Sequence, residues 1–108
     1  MKRGDVVVAS FEGDYGKPRP AIVVQSDVFH KFDSVAVVLL TTDLDEASEL
    51  RPILAPTAAN GLHKRSQVMV DKLYSLGRSK VGAVVGELRA ADMEMVTRQL
   101  ALLLGLGD

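Results

Sequence analysis

Ser34-Val35-Ala36-Val37-Val38-Leu39-Leu40-Thr41 is the most apolar stretch of the chain, aliphatic at six consecutive positions. Eight residues suit a strand better than a helix. Because apolar side chains fall on both alternating faces, both faces need cover. Towards the N-terminus, residues 19–25 (Arg19-Pro20-Ala21-Ile22-Val23-Val24-Gln25) read as a second strand. Pro20 has no N–H to give to a ladder, so it belongs at the first turn of that strand or on an edge. Asp5-Val6-Val7-Val8-Ala9-Ser10-Phe11 reads as a third, buried strand. The two are joined by Glu12-Gly13-Asp14-Tyr15-Gly16-Lys17-Pro18, whose glycines and proline make it a loop.

Towards the C-terminus, Asp43 to Leu50 is a polar connection, and Arg51 to Leu54 a short strand stopped by Pro56. Ala58-Ala59-Asn60-Gly61 ends in a turn signal. Gln67 to Lys72 alternates as a strand does, and Tyr74 to Leu76 continues or follows it. Lys80 to Gly86 reads as a further strand, loosened by Gly82. From Leu88 the period changes: Met93, Val96, Leu100, Leu103 and Leu104 form one stripe of a helix. Asp92 and Glu94 lie in its first turns, where carboxylates suit the dipole, and Gly105 ends it. Strands come first and one helix last, without βαβ alternation. The expected class is α+β: a small, barrel-like antiparallel sheet with a helix packed on it.

The 108 residues suit a single domain, and 47% hydrophobic with 25% charged residues is ordinary globular balance. The absence of cysteine excludes disulfide scaffolds, thiol nucleophiles and cysteine–zinc sites, and fits a reducing cytoplasm. No apolar region follows Met1-Lys2-Arg3-Gly4-Asp5 and no run approaches a membrane span, so neither a secretory signal nor a membrane anchor is expected. A net charge of -1 weighs against coating nucleic acid by charge alone. The distribution is uneven, however. Asp43, Asp45, Glu46 and Glu49 cluster without a base, while residues 63–80 carry Lys64, Arg65, Lys72, Arg78 and Lys80 against Asp71 alone. Such runs are either solvated faces or a local anion site.

Neither GxxxxGK[ST] nor GxGxxG nor HExxH occurs, and the carboxylates show no metal-ligand spacing. No cofactor and no metal are expected. What remains for chemistry is Arg19, Thr41, Thr42, Asp71 and Lys72, with the loop before Arg19. A guanidinium at a strand end suits a phosphate, or else pairs with a carboxylate such as Asp14. Thr41 and Thr42 either donate to a phosphate oxygen or cap the next loop. Asp71 beside Lys72 reads equally as a surface ion pair. His30 and His63 are either acid–base groups or parts of polar loops.

Three stretches together carry a resemblance: Lys2 to Val7 followed by Lys17 to Gln25; Val35 to Thr42, ending in paired threonines; and Pro56 to Leu62 leading to Ser66 to Lys72. With the tail from Gly82 to Leu106, the chain resembles the MazF/PemK toxins over nearly its whole length. The resemblance implies a strongly twisted antiparallel half-barrel, SH3-like and CcdB-like, with a C-terminal helix. It implies a cytoplasmic homodimer that cuts single-stranded RNA at short sequences, leaving a 2′,3′-cyclic phosphate and a 5′-hydroxyl. It also implies a cognate antitoxin. Because the RNA's own 2′-OH is the nucleophile, such an enzyme needs no cysteine, no Ser–His pair and no metal. Residue by residue, the resemblance makes Arg19 and Thr42 catalytic, with Thr41 as the register alternative. Arg19 would stabilise the phosphate and transfer a proton, and Thr42 would bond a phosphate oxygen. Lys17, Thr41, Asp71 and Lys72 would bind RNA. Two positions depart from some members: Met69 stands where they carry an arginine, and the loop after the first strand holds no histidine. The acid–base set then leans on Arg19 with Glu12, Asp71 or Lys72. The alternative on the same fold is a CcdB-like DNA gyrase poison without nuclease activity. That reading calls for a C-terminal tryptophan, and the chain has none.

Overall fold

The computed structural model describes residues 1–11 and 17–107. Six strands form one antiparallel sheet: β1 (Asp5–Ser10), β2 (Pro18–Val23), β3 (Ser34–Thr41), β4 (Ile53–Leu54), β5 (Ser66–Gly77) and β6 (Val81–Glu87). Their spatial order is β4-β5-β3-β2-β1-β6, and the sheet curls into a half-barrel. Among the described residues, one α-helix, α1 (Ala90–Leu103), packs against β5. Short 3-10 turns at Asp27–Phe29 and Arg78–Lys80 complete the path. The first of these was not legible as an element; Ser26 caps it by accepting a bond from the Val28 N–H.

The decisive stretch lies near the middle of the sheet, and its two faces go to different cores. Val38 and Leu40 join Val6, Ile22, Leu54, Val68 and the helix residues Val96 and Leu100. Val35, Val37 and Leu39 join Val7, Ala9, Ala21 and Met69 on the opposite face. Both faces are covered, as the unbroken apolar run requires. Each fully buried aliphatic side chain contributes about 1.5–3 kcal/mol of transfer free energy.

Three elements differ from their sequence reading. Residues 66–77 form one long strand, because a bulge lets it continue past Lys72. Val38 pairs with Leu73 but Leu39 pairs with Met69, so Val70, Asp71 and Lys72 have no partner on β3. The short strand expected at 51–54 contracts to Ile53–Leu54. The helical stripe is buried only through Leu100. Leu103 and Leu104 are 46% and 54% exposed, since the core that receives Val96 and Leu100 ends there. Gly105 ends the helix as expected. At φ 71° it allows Gly105 N to donate to Leu102 O and Leu106 N to Ala101 O, the paired bonds of a Schellman cap.

The N-terminal Lys-Arg-Gly-Asp segment clasps the sheet to the helix. Gly4 N donates to Val23 O, Leu88 N donates to Gly4 O, and buried Asp5 accepts from Lys2 N. The Arg3 guanidinium donates to the Val24 carbonyl and to Thr97 Oγ1 on the helix.

Candidate functional site

The site begins where β2 and β3 part. Backbone groups alternate sides along a strand. The Val23 carbonyl accepts from Gly4 on the β1 side, and Val24 N donates to Ala36 on the β3 side. By alternation, Ile22 and Pro20 also face β3. Pro20 has no N–H to offer there, and β2–β3 pairing stops at Ala21↔Leu39, whereas β2 stays paired with β1 out to Pro18. Pro20 therefore sits in a stretch of β2 that is effectively an edge, which meets the sequence expectation. β3 runs on beside β5 to Thr41↔Gln67.

Arg19 and Thr41 flank this parting. Arg19 lies two residues from Ala21, and Thr41 two residues from Leu39, so both fall on the face that holds Ala21 and Leu39. Two further steps of the register would set them opposite each other. Both are half-buried. Thr41 Oγ1 accepts from Asp43 N at 3.1 Å, so it caps the following loop while keeping its own O–H to donate. Thr42, exposed, turns elsewhere: it lines a cavity of about 510 Å³ together with Pro18, Pro20, His63 and Lys64.

The far wall of that cavity is fixed by its backbone. Buried Asn60 accepts from Thr57 N and Leu62 N through Oδ1, donates from Nδ2 to Ala55 O, and donates from its backbone N–H to Thr57 Oγ1. Glu87 N donates to Ala59 O, which ties the turn to β6. Gly61 at φ 69° and Gly86 permit backbone contact too close for any Cβ. Buried Ser66 donates to the Lys64 carbonyl. The turn signal at Asn60-Gly61 was legible in the sequence, but its clasp on β6 was not.

Asp71 does not pair with Lys72. Arg51 grips it with two bonds, Nε to Oδ1 at 2.8 Å and Nη2 to Oδ2 at 2.6 Å. These hold the Asp71 carboxyl below the usual carboxylate range and raise the Arg51 guanidinium above its ordinary value. The pair lines a second groove, of about 370 Å³, with Gln99, Leu102 and Leu103 of the helix end. Arg51 was missed because the pair spans 20 residues, from the turn before β4 to β5. Gln67 was missed as well. Wholly buried, it accepts from Asp45 N and donates to Asp45 O and Arg51 O, which holds the acidic connection.

Lys72 is exposed in the bulge, and Lys17 is exposed just before β2. Glu12 and Asp14 lie outside the described residues. Of the basic run, Arg65 pairs with Glu46, and the Arg78 guanidinium donates to the His30 and Phe32 carbonyls. Lys64, Lys72 and Lys80 remain exposed. His30 Nδ1 contacts Asp27 O at 3.0 Å and belongs to a polar turn. Among the described residues, no group of three His, Cys, Asp or Glu comes together as a metal site.

A family model for the PemK-like, MazF-like toxin of type II toxin-antitoxin systems matches residues 2–104. A protein of Mycolicibacterium smegmatis, "Probable endoribonuclease MazF", is 41% identical over 107 residues, covering 98% of each chain. A solved "Endoribonuclease in complex with its cognate antitoxin from Mycobacterial species" superposes with a TM-score of 0.84 at 24% identity, covering 100% of this chain and 98% of the other. A MazE-MazF crystal structure from Deinococcus radiodurans gives a TM-score of 0.82 at 22% identity over 99% and 97% of the two chains. The gyrase-poison alternative finds no support in these comparisons.

Proposed function

The chain belongs to the PemK-like, MazF-like toxins of type II toxin–antitoxin systems, and from that premise we propose a sequence-specific endoribonuclease that cuts single-stranded RNA without a metal. The carrying observation is the placement of Arg19 and Thr41 on one face, where β2 and β3 part. The RNA's 2′-hydroxyl gives up its proton as its oxygen attacks the adjacent phosphorus, the bond to the 5′-oxygen breaks, that oxygen takes up a proton, and a 2′,3′-cyclic phosphate and a 5′-hydroxyl result. The phosphorane formed on the way carries extra negative charge. The Arg19 fork supplies paired donors to it, and a threonine hydroxyl supplies one more. Of the two threonines, Thr41 suits this role better, because it shares Arg19's face and keeps its O–H available. A guanidinium holds its proton far above neutrality, so Arg19 serves as donor to the leaving 5′-oxygen rather than as base. Lys17 and Lys72 steer the phosphate backbone.

The test is a defined single-stranded RNA incubated with purified protein in EDTA, with end-group analysis of the fragments. Cleavage to cyclic-phosphate ends is expected. Activity that disappears in EDTA and returns with magnesium would overturn the metal-free mechanism. Intact RNA under every condition would overturn the nuclease reading itself.

The working unit we propose is a homodimer in the cytoplasm, inhibited by an antitoxin with an acidic binding segment. No helix among the described residues is long and apolar enough to cross a membrane. Leu102, Leu103, Leu104 and Leu106 are about half exposed or more, an apolar patch that a second copy would cover. A segment that competes with RNA for Arg19, Lys17 and Lys72 should carry RNA's sign of charge. Sedimentation checks both points: a dimer at micromolar concentration, and an antitoxin complex that weakens as salt rises. A monomer, or a complex indifferent to salt, contradicts the respective reading.

A further inference from the structure

The cavity at Thr42 is separate from the Arg19–Thr41 face. Pro18 and Pro20 alternate with Arg19 along β2 and line the cavity, so Arg19 points to the other face of the strand. Its lining is apolar at Val8, Pro20 and Val85 and polar at Thr42, His63, Lys64 and Ser66. At about 510 Å³ it lies within the size range of pockets that bury small, flat ligands. An open apolar groove with a few polar groups at its rim suits an unstacked base. The ring faces leave water, while one edge is read by hydrogen bonds.

The polar rim is held rigidly. The Asn60 network and the Gly61–Val85 contact fix its start, and the Ser66 bond to the Lys64 carbonyl fixes its end. His63 and Lys64 lie between those anchors, both exposed. Their backbone is thus set before any ligand arrives, and the cost of ordering on binding is small. Continuity supplies the occupant. Thr41 and Thr42 are consecutive, so the hydroxyl proposed for the scissile phosphate and the mouth of the cavity are one residue apart, about 3.8 Å between Cα atoms.

We infer that this cavity receives one base of the RNA strand next to the cut, with His63 reading the base edge and Lys64 holding the neighbouring phosphate. The inference rests on the endoribonuclease reading and adds a source of sequence choice to it. His63 carries a donor and an acceptor that can match one base edge and mismatch another. Lys64 is a point charge and reads no sequence.

The experiment maps cut sites in a random-sequence RNA pool for the wild type, His63→Ala and Lys64→Ala, with thermal melts of each. His63→Ala is expected to lower discrimination at one position beside the cut by about tenfold, with the other positions unchanged. Lys64→Ala is expected to slow cleavage at all sites by a similar factor and to weaken its dependence on salt. His63→Gln, which keeps a donor and an acceptor, should retain a preference at that position. An unaltered preference profile in His63→Ala overturns the inference while leaving the nuclease intact. A wild type that leaves the pool uncut overturns the nuclease reading, and the inference with it.

Discussion

Arg19→Ala is expected to slow RNA cleavage by at least about 100- to 1000-fold, the usual loss when one preorganised donor to a developing oxyanion is removed. The loss should exceed that range if the same guanidinium also gives a proton to the leaving oxygen. Folding should survive. Arg19 is half-buried, lies beyond the last β2–β3 pair and belongs to neither apolar core, so its truncation should cost about 1 kcal/mol or less. Arg19→Lys keeps the charge but loses the planar fork, and should restore little. The paired threonines provide an internal comparison. Thr41→Ala removes a hydroxyl on Arg19's face, whereas Thr42→Ala removes one from the cavity rim. The first should lower the rate at every site, and the second should act mainly on site preference. Single-turnover rates beside thermal melts make the measurement. Near wild-type cleavage by a normally melting Arg19→Ala protein would show that the chemistry lies elsewhere on the molecule.

Gly86→Ala is expected to be severely destabilising. An added Cβ would lie 2.2 Å from the Asn60 carbonyl carbon, 2.3 Å from its oxygen and 2.7 Å from Ala59 O. These are backbone atoms of a turn held by the Asn60 network, so no flexible side chain can yield. The turn must leave β6, losing the Glu87–Ala59 bond and straining the bonds around Asn60. Overpacking of about 1–3 kcal/mol, with one or two lost hydrogen bonds at about 1 kcal/mol each, gives roughly 2–5 kcal/mol. For a domain of this size that lowers Tm by roughly 10–25 °C. Gly77→Ala is the control: at φ -61°, its Cβ would meet nothing nearer than Ser79 Oγ at 3.9 Å. Calorimetric melts of the two variants decide the matter, and equal Tm values would mean that the turn does not clasp β6 as described. Because the same turn carries the wall with His63 and Lys64, Gly86→Ala should also blur cut-site preference at temperatures where it remains folded.

The sequence by itself determined what depends on local periodicity. The apolar run from Val35 to Leu40 required a strand covered on both faces, and it has one. The change of period after Leu88 required a helix, and Gly105 ended it where a positive φ was needed. Pro20 marked an effective edge, because a missing N–H is a property of the residue wherever it sits. The resemblance, carried by short motifs in order, reached the family. Pairing across long separations belonged to the tertiary structure alone. Arg51 grips Asp71 within the β5 bulge over Val70 to Lys72, and nothing in a strand's own residues states where its partner slips. The cavity wall depends on two glycines 25 positions apart meeting backbone to backbone, Gly61 on Val85 and Gly86 on Asn60. The choice between two adjacent threonines follows the same logic. Neighbouring residues of a strand point to opposite faces, and only the sheet's register says which face Arg19 shares.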